Sequence, residues 1–121
     1  MQQDNLKPYK FNEEEINKKI FEDRWVRFAF GSQGYVKTND LSLGIVEFDK
    51  NKTSLSHSHD VSEALYVLSG IGAVNVAGEL NQVKKGDFLY IPPNMEHSII
   101  TEDTDKLKIF FVFGGKIYID Y

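Results

Sequence analysis

From residue 25 onward, turn-forming residues divide the sequence into short apolar segments, and this pattern restricts the chain to a β fold. Ala77-Gly78-Glu79 and Lys85-Gly86-Asp87 predict tight turns, and Pro92-Pro93 predicts a loop. Many short strands in one small chain are typical of a β-sandwich or a β-barrel. The predicted strands are Trp25–Phe30, Leu41–Phe48, Glu63–Leu68, Ala73–Ala77, Leu80–Val83, Phe88–Ile91, Ser98–Thr101 and Leu107–Phe113.

The segment before these strands predicts one short helix. Asn12 is a suitable N-cap, Glu15 completes a capping box, and Ile16 and Ile20 form an apolar stripe. A helix this short needs a docking surface. We therefore expect residues 1–35 to form a helix and a strand that dock or dimerise, and residues 36–121 to form the barrel. Surplus apolar surface on the strands predicts a homodimer.

Length and charge narrow the class of protein. A chain of 121 residues forms one domain, and its net charge of -4 argues against binding to nucleic acid. No apolar run approaches the roughly 18 residues of a membrane span, and the polar N-terminus lacks a signal-peptide core. We expect a cytoplasmic protein that does not bind membranes. With no cysteine in the sequence, any metal ion must be held by nitrogen and oxygen atoms.

The three histidines of the chain are spaced as metal ligands would be. His57 and His59 are two residues apart, so on a strand both imidazoles face the same side, and Glu63 has the same parity. His97 begins a different predicted strand and could complete the site from across the barrel. An isolated His-x-His pair is more often a surface feature. The full set predicts a divalent transition metal ion, with iron, manganese, zinc, nickel, cobalt and copper all compatible.

These residues resemble the two motifs of the cupin superfamily. The first contains His57, His59, Glu63 and Gly70, and the second contains Gly86, Pro92 and His97. The chain departs from the usual motifs where Asn51 and Asn94 replace glycines, and Thr101 occupies a position that is often asparagine. Asparagine tolerates positive φ angles better than most residues, so the turn at Asn94 can be retained.

The resemblance implies an all-β, double-stranded β-helix (jelly-roll) barrel with a metal site for a small-molecule ligand or substrate. Cupins include dioxygenases, isomerases and lyases as well as binding and sensing proteins without catalytic activity, so a metal-dependent enzyme and a ligand-binding module both remain open. The chain is also similar to cupin lyases that cleave dimethylsulfoniopropionate. Those enzymes have a tyrosine base two residues after the metal-binding glutamate, where this chain has Leu65, with Tyr66 next to it.

Parity and residue type give further candidates for the site. Leu65 and Val67 share the parity of Glu63, and Ile99 that of His97, so these three predict apolar pocket walls, although each alone could be ordinary core. Arg27 could bind a substrate carboxylate, or form a salt bridge or a dimer contact instead. The catalytic candidates are Tyr90 and Tyr118, each of which could equally be a packing residue.

Overall fold

The computed structural model describes residues 8–115 and 117, and it shows an all-β jelly-roll barrel. All eight predicted strands match observed ones to within two residues at each end. The strand predicted at Ser98–Thr101 runs from His97 to Ile100. Two strands of two residues each were not predicted. The strands are β1 (Lys19–Ile20), β2 (Arg24–Gly31), β3 (Val36–Lys37), β4 (Ser42–Phe48), β5 (Glu63–Ser69), β6 (Ile71–Val76), β7 (Glu79–Lys84), β8 (Phe88–Ile91), β9 (His97–Ile100) and β10 (Leu107–Phe113).

The strands form two sheets. The larger sheet has the order β1-β2-β4-β10-β5-β8, with β3 added beside β2, and the smaller sheet has the order β7-β6-β9. All neighbouring strands are antiparallel except β2 and β3. Strand β2 precedes the predicted barrel boundary at residue 36, yet it pairs along its length with β4 in the larger sheet.

The hydrophobic core lies between the two sheets. Along β4, β5 and β10, buried residues alternate with less buried ones, as expected when only one face of a strand points inward. The smaller sheet contributes Val74, Val83 and Ile99 to the same cluster. One continuous core therefore holds both sheets together. At one end of this core, side chains from both sheets line a space between the sheets.

The predicted N-terminal helix is only one 3-10 turn, Glu13–Glu15. The capping box is present: the Asn12 N–H donates to the Glu15 carboxylate, and the Asn12 side chain accepts a hydrogen bond from the backbone of the turn. Ile16, the next residue, already has an extended backbone. Ile16 is buried, whereas Ile20 lies in β1 and is 77% exposed, so the predicted apolar stripe does not form. A single turn has no helical stability of its own, and backbone pairing of β1 with β2 replaces further helix. Among the described residues, no helix is long and apolar enough to cross a membrane.

The departures from the usual cupin motifs keep the same backbone shape. Asn51 and Asn94 have φ angles of 59° and 64°, the left-handed conformation that glycine would otherwise supply. The hydroxyl of Thr101 accepts a hydrogen bond from the Lys52 backbone N–H and donates to the Asp49 carbonyl, at 2.9 and 2.6 Å. Thr101 thereby bonds the loop after β4 to the end of β9.

Gly70 is the single residue between β5 in the larger sheet and β6 in the smaller one. Its φ angle is +91°, and a Cβ atom there would collide with the Lys106 carbonyl oxygen. Gly78, in the turn between β6 and β7, has a similar φ of +89° but open space around it. The two glycines thus share a backbone requirement, and only Gly70 has a steric one as well.

We expect Gly70→Ala to destabilise the fold more than Gly78→Ala does. Both substitutions impose strain of roughly 1–3 kcal/mol in a left-handed conformation. Gly70→Ala adds an overpacking cost of about 1–3 kcal/mol because the Lys106 backbone must move. Urea unfolding of both variants measures the difference. Equal losses in the free energy of unfolding would contradict the steric role of Gly70.

Candidate metal centre

The loop that carries His57 and His59 is attached to strand β9 by a pair of backbone hydrogen bonds. The His57 N–H donates to the His97 carbonyl at 3.0 Å, and the His97 N–H donates to the His57 carbonyl at 2.8 Å. The Asn94 N–H donates to the His59 carbonyl at 2.6 Å. His57 thus forms an isolated bridge and His59 lies in no strand, so the shared direction of the two imidazoles does not come from the pleat of a strand. The imidazoles converge because the loop is bonded to β9.

The three imidazoles form one cluster. One ring nitrogen from each of His57, His59 and His97 lies within 4.8 Å of the other two. The Nδ1 atoms of His57 and His97 lie 3.1 and 3.0 Å from the carbonyl oxygens of Leu55 and Met95. A ring nitrogen that donates to a carbonyl carries the proton, which leaves Nε2 of both rings as a lone-pair donor for a metal ion.

Glu63, the first residue of β5, places a carboxylate beside the imidazoles. Its Oε1 atom lies 3.2 Å from His97 Nε2 and 3.9 Å from His59 Nε2. Oε1 is buried, and among the described residues it has no hydrogen-bond partner of acceptable geometry. A buried carboxylate oxygen without a partner is costly unless a cation neutralises it. Three imidazole nitrogens and this oxygen therefore fit a divalent transition metal ion.

Burial and neighbouring charges set the protonation of the cluster. Burial lowers the pKa of both His57 and His59 below the usual value for histidine, which keeps them in the neutral form that binds metal. Burial also acts to lower the pKa of His97, but the adjacent Glu63 carboxylate and the Met95 carbonyl outweigh it and raise the pKa. His97 and Glu63 thus attract a proton between them in the space that a metal ion would take.

The cluster forms the polar end of a narrow cavity of about 40 Å³ between the sheets. A volume of this size holds about three water-sized groups. The histidine cluster, Glu63 and one arginine are its polar lining, and the other walls are aliphatic or aromatic. The lining residues are Arg24, Val46, Phe48, His57, His59, Glu63, Leu65, His97, Ile99, Ile109, Phe111 and Phe113.

The predicted pocket residues do not all reach this cavity. Leu65 and Ile99 line it, whereas Val67 is buried in the core further along β5. Arg27 lies on the opposite face of β2, where it donates to the Ile16 carbonyl at 3.0 Å and pairs with Glu13 at 2.8 Å. Arg27 therefore holds the N-terminal turn against the sheet, which is the salt-bridge alternative of the sequence analysis, and it is not among the residues that line this cavity.

The candidate tyrosines are not part of the cavity either. Tyr90 is 62% exposed on the edge strand β8, so the structure gives it no contact with the cluster. Tyr118 lies outside the described residues. Tyr66 faces away from the cavity and packs against Phe88, with ring centroids 4.6 Å apart, while Leu65 occupies the cavity side. No tyrosine lines this cavity in the described part of the chain.

Arg24 is the polar cavity residue that the sequence analysis missed. It begins β2 and has the same parity as the buried residues Val26 and Phe28, which identifies the inward face. That parity is readable from the sequence, and it places Arg27 on the opposite face with Trp25. The charge of Arg24 reaches the cluster, since it contributes to lowering the pKa of His57.

A two-sheet jelly roll with histidines and a glutamate gathered at one end of its core defines a barrel of the cupin type. The sequence profile of the cupin domain matches residues 44–113, which is more than half of the chain. The chain belongs to the cupin family.

Sequence and structural relatives agree with this assignment. An uncharacterised Streptomyces coelicolor protein is 30% identical over 63% of this chain and 74% of its own length. The dimethylsulfoniopropionate lyase DddW of Ruegeria pomeroyi is 32% identical over 65% of this chain, but only 51% of the lyase is covered. Among solved structures, the polyketide cyclase RemF of Streptomyces resistomycificus has a TM-score of 0.77 at 15% identity, covering 94% of this chain and 88% of RemF. That identity supports a shared fold only.

We expect Glu63→Gln to weaken metal binding while Glu96→Gln leaves it intact. Glu96 is an exposed carboxylate next to His97, so it is a matched control for charge near the cluster. Loss of interactions around a metal site typically reduces affinity by about 10–100-fold, and loss of a direct ligand should do at least as much. Elemental analysis of tag-free protein and competition with a chromophoric chelator measure the change. Unchanged metal content in His57→Ala and His97→Ala would contradict the site.

Proposed function

We propose that the protein binds one divalent transition metal ion through His57, His59, His97 and Glu63 and is a metal-dependent enzyme acting on a small polar metabolite. Its reaction would be of the dioxygenase, isomerase or lyase type, in the cytoplasm. The single observation that carries the proposal is the convergence of three imidazole nitrogens, each within 4.8 Å of the others, beside the buried Glu63 carboxylate. Without a metal ion, only a proton shared with His97 would neutralise that carboxylate, whereas a divalent ion would engage all four groups.

The chain's own residues supply orientation and a dry environment. Carbonyls of Leu55 and Met95 fix two imidazole rings, and the aromatic walls, including Phe113 at 5.0 Å from His59, limit water around the cluster. When bound, a divalent ion would polarise a substrate oxygen as a Lewis acid, or bind dioxygen if it is iron. In a cavity with few water molecules, such polarisation is stronger than in bulk solvent.

A binding or sensing module without catalytic activity is the alternative. It is supported by the small cavity and by the lack of a tyrosine or lysine among the described residues that line it. The guanidinium of Arg24 is suited to binding an anion rather than to transferring a proton. A protein of this kind would hold a small ligand at the metal ion without converting it.

A dimethylsulfoniopropionate-type lyase is a further candidate, favoured by the 32% identity to DddW. Two observations weigh against it. Leu65 occupies the place of the expected tyrosine base, and Tyr66 packs against Phe88 on the other face of β5. The cavity therefore fits this activity less well than a reaction that needs no tyrosine base.

Activity assays with reconstituted protein separate these functions. Metal-free protein and protein loaded with iron(II), manganese or zinc are incubated with small acids, sugars and dimethylsulfoniopropionate, and products are followed by NMR. We expect turnover only in a metal-loaded form, with a loss of at least about 100-fold in His97→Ala because a ligand is removed. Ligand binding without turnover under every metal would favour the binding module instead.

The predicted homodimer remains part of the proposal. Phe88 and Tyr90 are 80% and 62% exposed on the edge strand β8, and Tyr66 lies beside Phe88. Adjacent exposed aromatic residues are typical of interaction surfaces. We expect a dimer in sedimentation velocity at micromolar concentration, and Phe88→Ser should shift it toward monomer. A monomeric wild-type protein would refute this assembly.

A further inference from the structure

We propose that Arg24 binds the carboxylate of the ligand, so that the cavity selects small monocarboxylates. This inference rests on the proposed function, because it concerns what is bound beside the same metal cluster. Arg24 starts β2 on its inward face and lines the cavity together with the three histidines and Glu63.

The guanidinium of Arg24 is held in a defined orientation. Its Nε and Nη2 atoms lie 3.0 and 3.3 Å from the two carboxylate oxygens of Asp23, and its centre lies 4.9 Å above the Phe48 ring. The Arg24 side chain is only 13% exposed. An arginine fixed in this way loses little conformational entropy when a ligand binds, so it is preorganised for recognition.

The surroundings of Arg24 favour a negative ligand. Apart from the three histidines, Glu63 and Arg24, the described residues that line the cavity are apolar. Once a divalent ion is present, the ion and Arg24 together carry three positive charges. Glu63 and Asp23 supply two negative charges, so one positive charge remains unbalanced. A monoanion would balance this excess, and an apolar cavity makes an unbalanced charge costly. Among monoanions, a planar carboxylate best matches the guanidinium fork.

The size of the cavity limits the part of the ligand that enters it. At about 40 Å³ the cavity is small, which favours a short ligand or only the end of a longer one. Arg24 and the imidazole cluster line this same cavity, and the charge of Arg24 acts on His57. The ligand class is therefore a small carboxylic acid, or the acid end of a longer molecule.

NMR titrations of zinc-loaded and metal-free protein with glycolate and with its neutral counterpart glycolamide test this proposal. The sequence has two arginines, so the side-chain Nε–H signal of Arg24 is readily assigned. We expect the wild type to prefer glycolate by about tenfold or more, the range of a charged hydrogen bond. Arg24→Gln should abolish that preference without changing zinc content, and Arg24→Lys should restore only part of it.

Arg27→Gln is the matched control, since Arg27 lies on the opposite face of the same strand and should leave the preference unchanged. The proposal is wrong if the zinc-loaded and metal-free forms of Arg24→Gln both bind glycolate as tightly as the wild type does. It is equally wrong if the variant's affinities for glycolate and glycolamide fall by the same factor. It is also wrong if neither wild-type form binds glycolate more tightly than glycolamide. Failure of the proposed metal function would appear separately, as full zinc content in His97→Ala.

Discussion

The site depends on one antiparallel bridge, the reciprocal pair of backbone hydrogen bonds between His57 and His97. The loop from residue 49 to 62 has no regular strand, and this bridge fixes its His57 imidazole beside β9, with the Asn94–His59 hydrogen bond and the Thr53–Ile100 bridge holding the loop on either side. Glu63 then begins β5, where the larger sheet holds its carboxylate in place. The ligand positions thus come from one loop and from both sheets, and the core between the sheets sets their spacing.

Most of the fold could be predicted from the sequence because its signals are local. Alternating apolar residues and turn residues located the strands, since the pleat places every second side chain in the core. The N-terminal helix was overpredicted for the same reason. Asn12 and Glu15 do form the expected cap, but capping defines where a turn starts, while tertiary pairing decides how far it continues.

The metal cluster was predicted from spacing, and the geometry brings its four residues together. The reasoning about a shared strand was wrong, because the backbone at His59 is held by loop contacts that only the folded chain creates. The cavity was harder to predict. Arg24 and Arg27 are three residues apart on one strand and therefore face opposite sides, so the choice between them depended on knowing which side is the core.

The two kinds of polar residue in the cavity come from different parts of the chain. The three histidines of the cluster and Glu63 fall within the segment 44–113 that matches the cupin profile, whereas Arg24 lies before it. Strand β2 joins the sheet through backbone hydrogen bonds to β4, which depend little on side-chain identity. Its inward side chains could therefore change while the four candidate metal ligands keep their positions. A leading strand of this kind lets a small barrel alter the shape and charge of its cavity without disturbing the residues gathered at its end.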